Sequence, residues 1–232
     1  MRYAATDSRL SQSPSAIDWL YRYEPVLDFM FEVGCYDVLD FGSGNVGLGS
    51  VFAGSYYGID IIPIHPAVPN LIPIEDIHPF DLTQQFDLVC AMDVLEHIPV
   101  QERTQFWQTL KRISRKWIIL SYPTRTTGRL FDVETLSFFS RGTQNIPPWL
   151  LEHLAQEHPD PDQVSAAIQS LNLKILRRIN HTNRLWHYLG CIGVAVEGPW
   201  KVKILNDIHI MSEALSHVEE LATYREVLIL EV

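Results

Sequence analysis

The residues with the clearest chemistry lie in VLDFGSGNVGLGS, where one acid, Asp40, precedes the glycines Gly42, Gly44 and Gly47. An apolar run that stops on an acid and turns into glycines reads as a buried strand, its carboxyl end, and a turn that brings the backbone close to a ligand before a helix begins. The spacing also spells G-x-G-x-x-G, a nucleotide cradle. A second acid, Asp60 in YYGIDI, ends the next apolar run, where a carboxylate can accept both hydroxyls of a ribose. Together they point to a bound nucleoside and leave its tail open.

Asp40 separates two tails. In a dinucleotide site the pyrophosphate lies on the glycine turn at a helix N-terminus, and a carboxylate two residues before the first glycine adds negative charge beside two phosphates. S-adenosylmethionine carries no phosphate, and its methionine end presents an ammonium that a nearby carboxylate or its water shell can hold. The acid therefore favours the sulfonium cofactor, with Ser43 and Asn45 completing the turn and Ile61 beside the ribose acid.

A third stretch, FDLVCAMDVLEHIP, reads as a buried parallel strand over Phe86 to Ala91 whose carboxyl end, Ala91, Met92 and Asp93, lies at the ligand edge of an open α/β sheet. Taken in succession, VLDFGSGNVG, YYGIDI and FDLVCAMDVLEHIP resemble the motifs of class I S-adenosylmethionine-dependent methyltransferases, over roughly Tyr36 to Tyr122. One departure is that the family pattern D-x-G-x-G-x-G places its third glycine where this chain has Val46, with Gly47 one position late. The resemblance implies a doubly wound, mostly parallel seven-stranded sheet with helices on both faces and an antiparallel last strand. It also implies that residues near Glu75, Asp76 and Ile77 frame the adenine. S-adenosylmethionine is the expected cofactor and S-adenosylhomocysteine its product.

Methyl transfer from a sulfonium is a direct displacement with a neutral thioether leaving, so the protein needs chiefly to align donor and acceptor in a dry site. An alcohol or protonated amine acceptor must also lose a proton. His97, four residues after Asp93, is the candidate base. The alternative use of a histidine here is to cap or pack the next helix.

Around these residues the chain supplies its elements. Ser13, Pro14 and Gly34 bracket an N-terminal helical cover over 13–34 that Pro25 is expected to break into two helices. Trp19, Tyr21 and Tyr23 either touch ligand or bury an apolar stripe. The expected cofactor-binding half spans 36–122, with a helix after the glycine turn carrying Leu48, Val51 and Phe52 inward. Five prolines make 61–80 mostly loop, with a short strand near Asn70 to Ile74. Phe106, Trp107, Leu110 and Ile113 repeat at helical spacing. The pattern over 124–150 is irregular and reads as an acceptor-side lid or as a surface insertion. Asp160 caps a helix begun by Pro161, and a C-terminal half over 160–232 ends in a helical insertion and a last strand. The segment PPWLLEHLAQEHPDPDQV, with that insertion, loosely resembles methyltransferases that accompany bacterial glycosyltransferases, which implies a glycan or lipid-headgroup acceptor.

With 232 residues, 47% of them hydrophobic, one elaborated α/β domain can bury a sizeable core. A formal net charge of −10 disfavours nucleic acid as a partner. The basic stretch Lys111 to Lys116 falls at a helix end, where cations complement the dipole. No apolar run reaches the roughly eighteen residues that cross a bilayer, and the N-terminus lacks a signal-peptide pattern, so a cytoplasmic protein is expected. Three dispersed cysteines, Cys35, Cys90 and Cys191, suit a reducing compartment. Nine histidines form no H-x3-H or H-E-x-x-H pattern, and the expectation is no metal. Two rivals keep the same glycines: an NAD-dependent oxidoreductase and a non-catalytic binding module.

Overall fold

The computed structural model describes residues 16–44, 47–50, 52, 54–61, 70–142, 146–183, 187, 207 and 223–232. Expectations for 1–12, Ser13, Pro14, Asn45, Val51, Cys191 and the segments 184–186, 188–206 and 208–222 lie outside the described residues, as do the side chains of Trp19 and Tyr21.

Seven strands form one sheet: β1 (Val38–Phe41), β2 (Tyr56–Ile59), β3 (Leu71–Pro73), β4 (Phe86–Met92), β5 (Ser114–Pro123), β6 (Lys174–Asn183) and β7 (Thr223–Glu231). Their spatial order is β3-β2-β1-β4-β5-β7-β6. The pairs among β1 to β5 are parallel, and β7 is antiparallel to both β5 and β6. The carboxyl ends of β1, β2 and β4 therefore share one edge, where all three notable motifs arrive.

Strand alternation sorts the core into two layers. Leu39, Phe41, Val89, Ala91, Ile118 and Leu120 face α2 (Arg103–Ile113) and α5 (Pro161–Ser170), which contribute Phe106, Trp107, Leu110, Val164 and Ile168. Val38, Leu88, Cys90, Met92 and Ile119 face the other way, onto Tyr23, Val26, Leu27, Phe29 and Met30 of α1 (Ala16–Val33). Asp160 caps α5, its carboxylate accepting the Asp162 N–H at 2.9 Å. The basic residues near the end of α2 are spent internally: Lys111 and Arg112 donate to the carbonyls of Leu171, Phe80 and Leu82, and Arg115 and Lys116 pair with Asp87.

Three local expectations differ from the structure. Pro25 does not split α1, which runs as one helix through it. Pro25 is buried, the residues after it, Val26, Leu27, Phe29 and Met30, pack in the same core layer as Tyr23, and this packing outweighs one missing hydrogen bond. The helix ends where expected, with Gly34 at φ 64° and the Cys35 N–H reaching back to the Met30 carbonyl at 3.0 Å. After the glycine turn the described residues form a 3₁₀ turn, Leu48–Ser50, the Phe52 N–H reaches back to the Leu48 carbonyl at 2.9 Å, and Leu48 and Phe52 are buried.

The third difference is the largest. Residues 124–150 are not irregular, because α3 (Thr127–Gly142) and the start of α4 (Pro148–Ala155) occupy most of them. The inward face of α3 is Phe131, Asp132, Thr135 and Phe139, a helical spacing in which two of the four residues are polar, so apolar periodicity does not reveal it. Among the described residues, no helix is long and apolar enough to cross a membrane.

Candidate functional site

The glycine turn is fastened on both sides. Its Gly42 N–H donates to the Ile59 carbonyl at 2.8 Å, and the Gly44 N–H donates to Asp60 Oδ2 at 2.7 Å, so the end of β2 holds the turn across from β1. Gly47 has φ 46°, and a Cβ there would stand 2.5 Å from Asp40 Oδ2 and 2.7 Å from the Ser43 carbonyl. Only glycine fits. A Cβ on Gly42 would meet Val94 at 2.5 Å, so the turn also packs directly on the segment after β4.

Asp40 is 0% exposed. Its Oδ2 accepts the Leu48 N–H at 2.8 Å, both oxygens accept from the Tyr23 hydroxyl at 3.0 Å, and the Cys90 thiol approaches Oδ1 at 3.5 Å. This is a correction to the sequence reading, in which the carboxylate faces a ligand's ammonium. The β-strand period turns Asp40 onto the α1 face, under the turn, where it is the anion that the loop's own backbone holds. Burial pushes its pKa up to about 6, against the opposing hydrogen bonds from Leu48, Tyr23 and Cys90.

The other expected cofactor residues divide by exposure. Asp60 is partly exposed beside Gly44, Ile61 is 78% exposed, and Asp76, at φ 61°, and Ile77 are exposed beyond β3. Ser43 is buried within the turn and Asn45 lies outside the described residues. Ala91 and Met92 end β4 buried in opposite core layers, so they floor this edge and do not line an open surface.

Beyond β4 the chain turns sharply at Asp93, φ 57°, into a 3₁₀ turn, Leu95–His97. The Asp93 side chain, 8% exposed, is bridged to Arg225 at 2.9 Å and Arg22 at 3.2 Å, and accepts from Ser121 Oγ at 2.7 Å. Its burial alone would raise the pKa, but Arg225 and Arg22 outweigh that and hold it at about 2.

His97 is not a lone histidine. Its Nδ1 sits 3.1 Å from Glu152 Oε1, and its Nε2 faces His153 Nε2 at 3.3 Å. Both partners come from α4. Burial and the neighbouring His153 lower the His97 pKa. His153 Nδ1 in turn lies 3.2 Å from Asp132 Oδ2 on α3, and Asp132 also accepts from His158 Nε2 at 2.8 Å and from the Tyr224 hydroxyl at 2.9 Å. Burial would lower the His153 pKa, but the hydrogen bond to Asp132 and the charges of Glu96 and Asp132 win and raise it. Glu96, 1% exposed, has both carboxylate oxygens without a hydrogen-bond partner and Oε1 3.8 Å from His153 Nε2. Sequence reasoning singled out His97 alone from this group. Glu96 was visible beside it in LEHI, whereas Asp132, His153, His158 and Tyr224 carry no local pattern.

A separate groove of about 400 Å³ lies between α2 and α5, lined by Val100, Arg103, Trp107, Asp160 and Gln163, and does not include the glycine turn.

No protein-family model matches the chain, and no curated protein matches it. Solved structures do. The magnesium protoporphyrin IX methyltransferase of Synechocystis, crystallised with S-adenosylhomocysteine, aligns with TM-score 0.52 and 15% identity, over 94% of this chain and 82% of that one. A sarcosine dimethylglycine methyltransferase homologue from Galdieria sulphuraria aligns with TM-score 0.51 and 11% identity, over 97% and 90%. The [4+2]-cyclase SpnF aligns with TM-score 0.53 and 12% identity, over 90% and 80%. With the strand order, the antiparallel last strand and these neighbours together, the chain has the Rossmann-like fold of class I S-adenosylmethionine-dependent methyltransferases.

Proposed function

We propose that this chain is an S-adenosylmethionine-dependent methyltransferase acting on a small-molecule, glycan or lipid-headgroup acceptor, in the cytoplasm. The observation that carries the choice of cofactor is the Leu48 N–H. In a dinucleotide enzyme the first amides after the glycine turn open a long helix and hold the pyrophosphate. Here the described residues after the turn open with a 3₁₀ turn, and its first amide donates at 2.8 Å to the protein's own Asp40. The anion position is already occupied, and a second anion beside it would be repelled. A cofactor without phosphates suits this turn, and methyltransferases with bound product share the fold.

In this reading Asp60 takes the ribose hydroxyls with the acceptor capacity left beside Gly44. Gly42, Ser43 and Gly44 shape the bed of the methionine end, and Asp40 fixes that bed from below. Ile61, Asp76 and Ile77 flank the base, and Ala91 and Met92 floor the cleft. The bound cofactor supplies an activated methyl group. His97, held one short turn from the Val94 that packs on Gly42, assists loss of the acceptor's proton.

Isothermal titration with S-adenosylhomocysteine and, separately, NAD⁺ tests the reading. The protein should bind the former and not the latter. Gly47→Ala, which forces a strained φ and a clash worth roughly 2 kcal/mol, should weaken S-adenosylhomocysteine by about thirtyfold. Tight NAD⁺ binding, or silence with S-adenosylhomocysteine at millimolar concentration, would overturn the assignment.

A further inference from the structure

We infer that Glu96, His97 and His153 form a binding site for one divalent transition-metal ion of the zinc class. Glu96 and His97 come from the turn after β4 and His153 from α4, and their ligand atoms lie within 4.8 Å of one another.

The orientation of the two imidazoles is the first argument. Each ring has its Nδ1 against a carboxylate, His97 on Glu152 at 3.1 Å and His153 on Asp132 at 3.2 Å; the Tyr224 hydroxyl, 3.3 Å from His153 Nδ1, makes its shorter bond, 2.9 Å, to Asp132 and leaves the Nδ1–H to that carboxylate. A neutral ring that donates its Nδ1–H carries a lone pair at Nε2. The two Nε2 atoms face each other at 3.3 Å, where two lone pairs repel unless something positive lies between them. Carboxylates behind both rings are also the arrangement that orients metal-binding histidines.

Glu96 is the second, independent argument. It is 1% exposed, both its oxygens lack a hydrogen-bond partner, and Oε1 is 3.8 Å from His153 Nε2. A proton shared between the histidines leaves the Glu96 carboxyl, 3.8 Å from His153 Nε2 and buried, to hold a proton of its own without a hydrogen-bond acceptor, whereas a cation at the common point engages all three groups.

Distance fits as well. Zinc–nitrogen bonds of about 2.0–2.1 Å place two tetrahedral ligands about 3.3 Å apart, the separation already present. Glu96 Oε1, 3.8 Å from His153 Nε2, has to move inward to complete the set. Two imidazoles and one carboxylate suit zinc, cobalt or iron better than magnesium or calcium.

The adjoining triple of Asp132, His153 and His158 is not the site. Its carboxylate is satisfied by the His158 ring and the Tyr224 hydroxyl, and serves as the support behind His153. With three protein ligands a fourth position stays open, and the side chain of His97 is 31% exposed, so a ligand can approach from solvent. If the methyltransferase reading holds, that position takes an acceptor oxygen, and His97 assists proton loss as a ligand of the ion.

The test uses the full chain, stripped with a chelator and titrated with Co²⁺ in the absence of cofactor and acceptor. The expected result is one equivalent bound, with ligand-field absorption bands of low-coordinate cobalt, displaced by Zn²⁺ and not by Mg²⁺. Glu96→Gln, close in shape, and His153→Ala should each weaken Co²⁺ by more than about tenfold. Circular dichroism establishes that each variant is folded. No Co²⁺ binding by folded wild type at about 1 mM, or binding that both variants leave unchanged, overturns the site and assigns the histidine pair to a shared proton. S-adenosylhomocysteine titration of the metal-free chain keeps the outcomes apart: cobalt binding without it sinks the methyltransferase reading alone.

Discussion

The glycine turn and the histidine–carboxylate cluster stand on the same edge of the sheet, packed together through Gly42 and Val94, yet they are built by opposite means. At the turn the buried charge, Asp40, is met by an amide, a hydroxyl and a thiol, all neutral donors. In the cluster, ionisable groups are met by ionisable groups: Asp93 by two arginines, Asp132 by two histidines beside the Tyr224 hydroxyl, and Glu96 only by His153 at 3.8 Å, outside hydrogen-bonding reach. Neutral donors fix a shape. A buried carboxyl that no donor satisfies leaves an opening for a ligand, which is how ligand sites differ from cores.

The sharpest way to break that contrast is Asp132→Ala. Removing the carboxylate strands His153, His158 and the Tyr224 hydroxyl in a dry interior, and loss of one partner of a buried charged network costs about 3 to 5 kcal/mol. Urea unfolding at neutral pH reads this directly. A loss below about 1 kcal/mol would mean that the cluster is not held by charge, and the two regions would no longer differ in kind.

Asp40→Asn probes the other region, through pH. The folded-state pKa, about 6, lies above the ordinary 3.8, so the folded protein binds this proton more tightly than the unfolded chain does. Stability from this group is therefore fully present below about pH 4, declines as the pH rises to about 6, and is flat above it. The whole change is about 3 kcal/mol at most. Asp93 and Asp132, both held at about 2, act in the opposite sense at lower pH, so the difference between wild type and Asp40→Asn isolates the contribution. Equal slopes for the two proteins between pH 4.5 and 7 would refute it.

The same contrast explains what could be read before the fold was seen. The turn is legible because its chemistry is contiguous: Asp40, Gly42, Gly44 and Gly47 lie within eight residues, and Asp60 ends the next strand. The direction of Asp40 was not legible, since the pleat and not the motif decides which face a strand residue takes. The cluster is assembled from 96 and 97, 132, 153 and 158, and 224, brought together by the sheet order and by two helices. Asp132 and Thr135 on the inward face of α3 hid both the helix and the site behind it. A histidine spacing rule that looks along one helix cannot see ligands on two elements. Pro25 misled for a related reason, as its local cost is real and the packing that outweighs it is tertiary.

The smallest expected effect has the opposite sign to the others. Glu96→Met replaces a buried carboxylate that has no hydrogen-bond partner with an apolar side chain of similar length that can adapt to the space. Leaving such a group unsatisfied costs about 1 to 3 kcal/mol, so the variant should be more stable than wild type by up to that amount when both are metal-free. Asp132 still stands behind His153 in the variant, so that ring keeps its hydrogen bond and loses only the more distant Glu96, 3.8 Å away. In the same variant Co²⁺ binding should be gone. Urea unfolding in the presence of a chelator, beside the cobalt titration, measures the two changes on one preparation. A variant that is destabilised as much as Asp132→Ala would show that Glu96 is a structural counter-charge to His153. A variant that gains stability as it loses the ion separates the residue's cost to folding from its use, and sets the cluster apart from the turn, where Gly47→Ala should lose both.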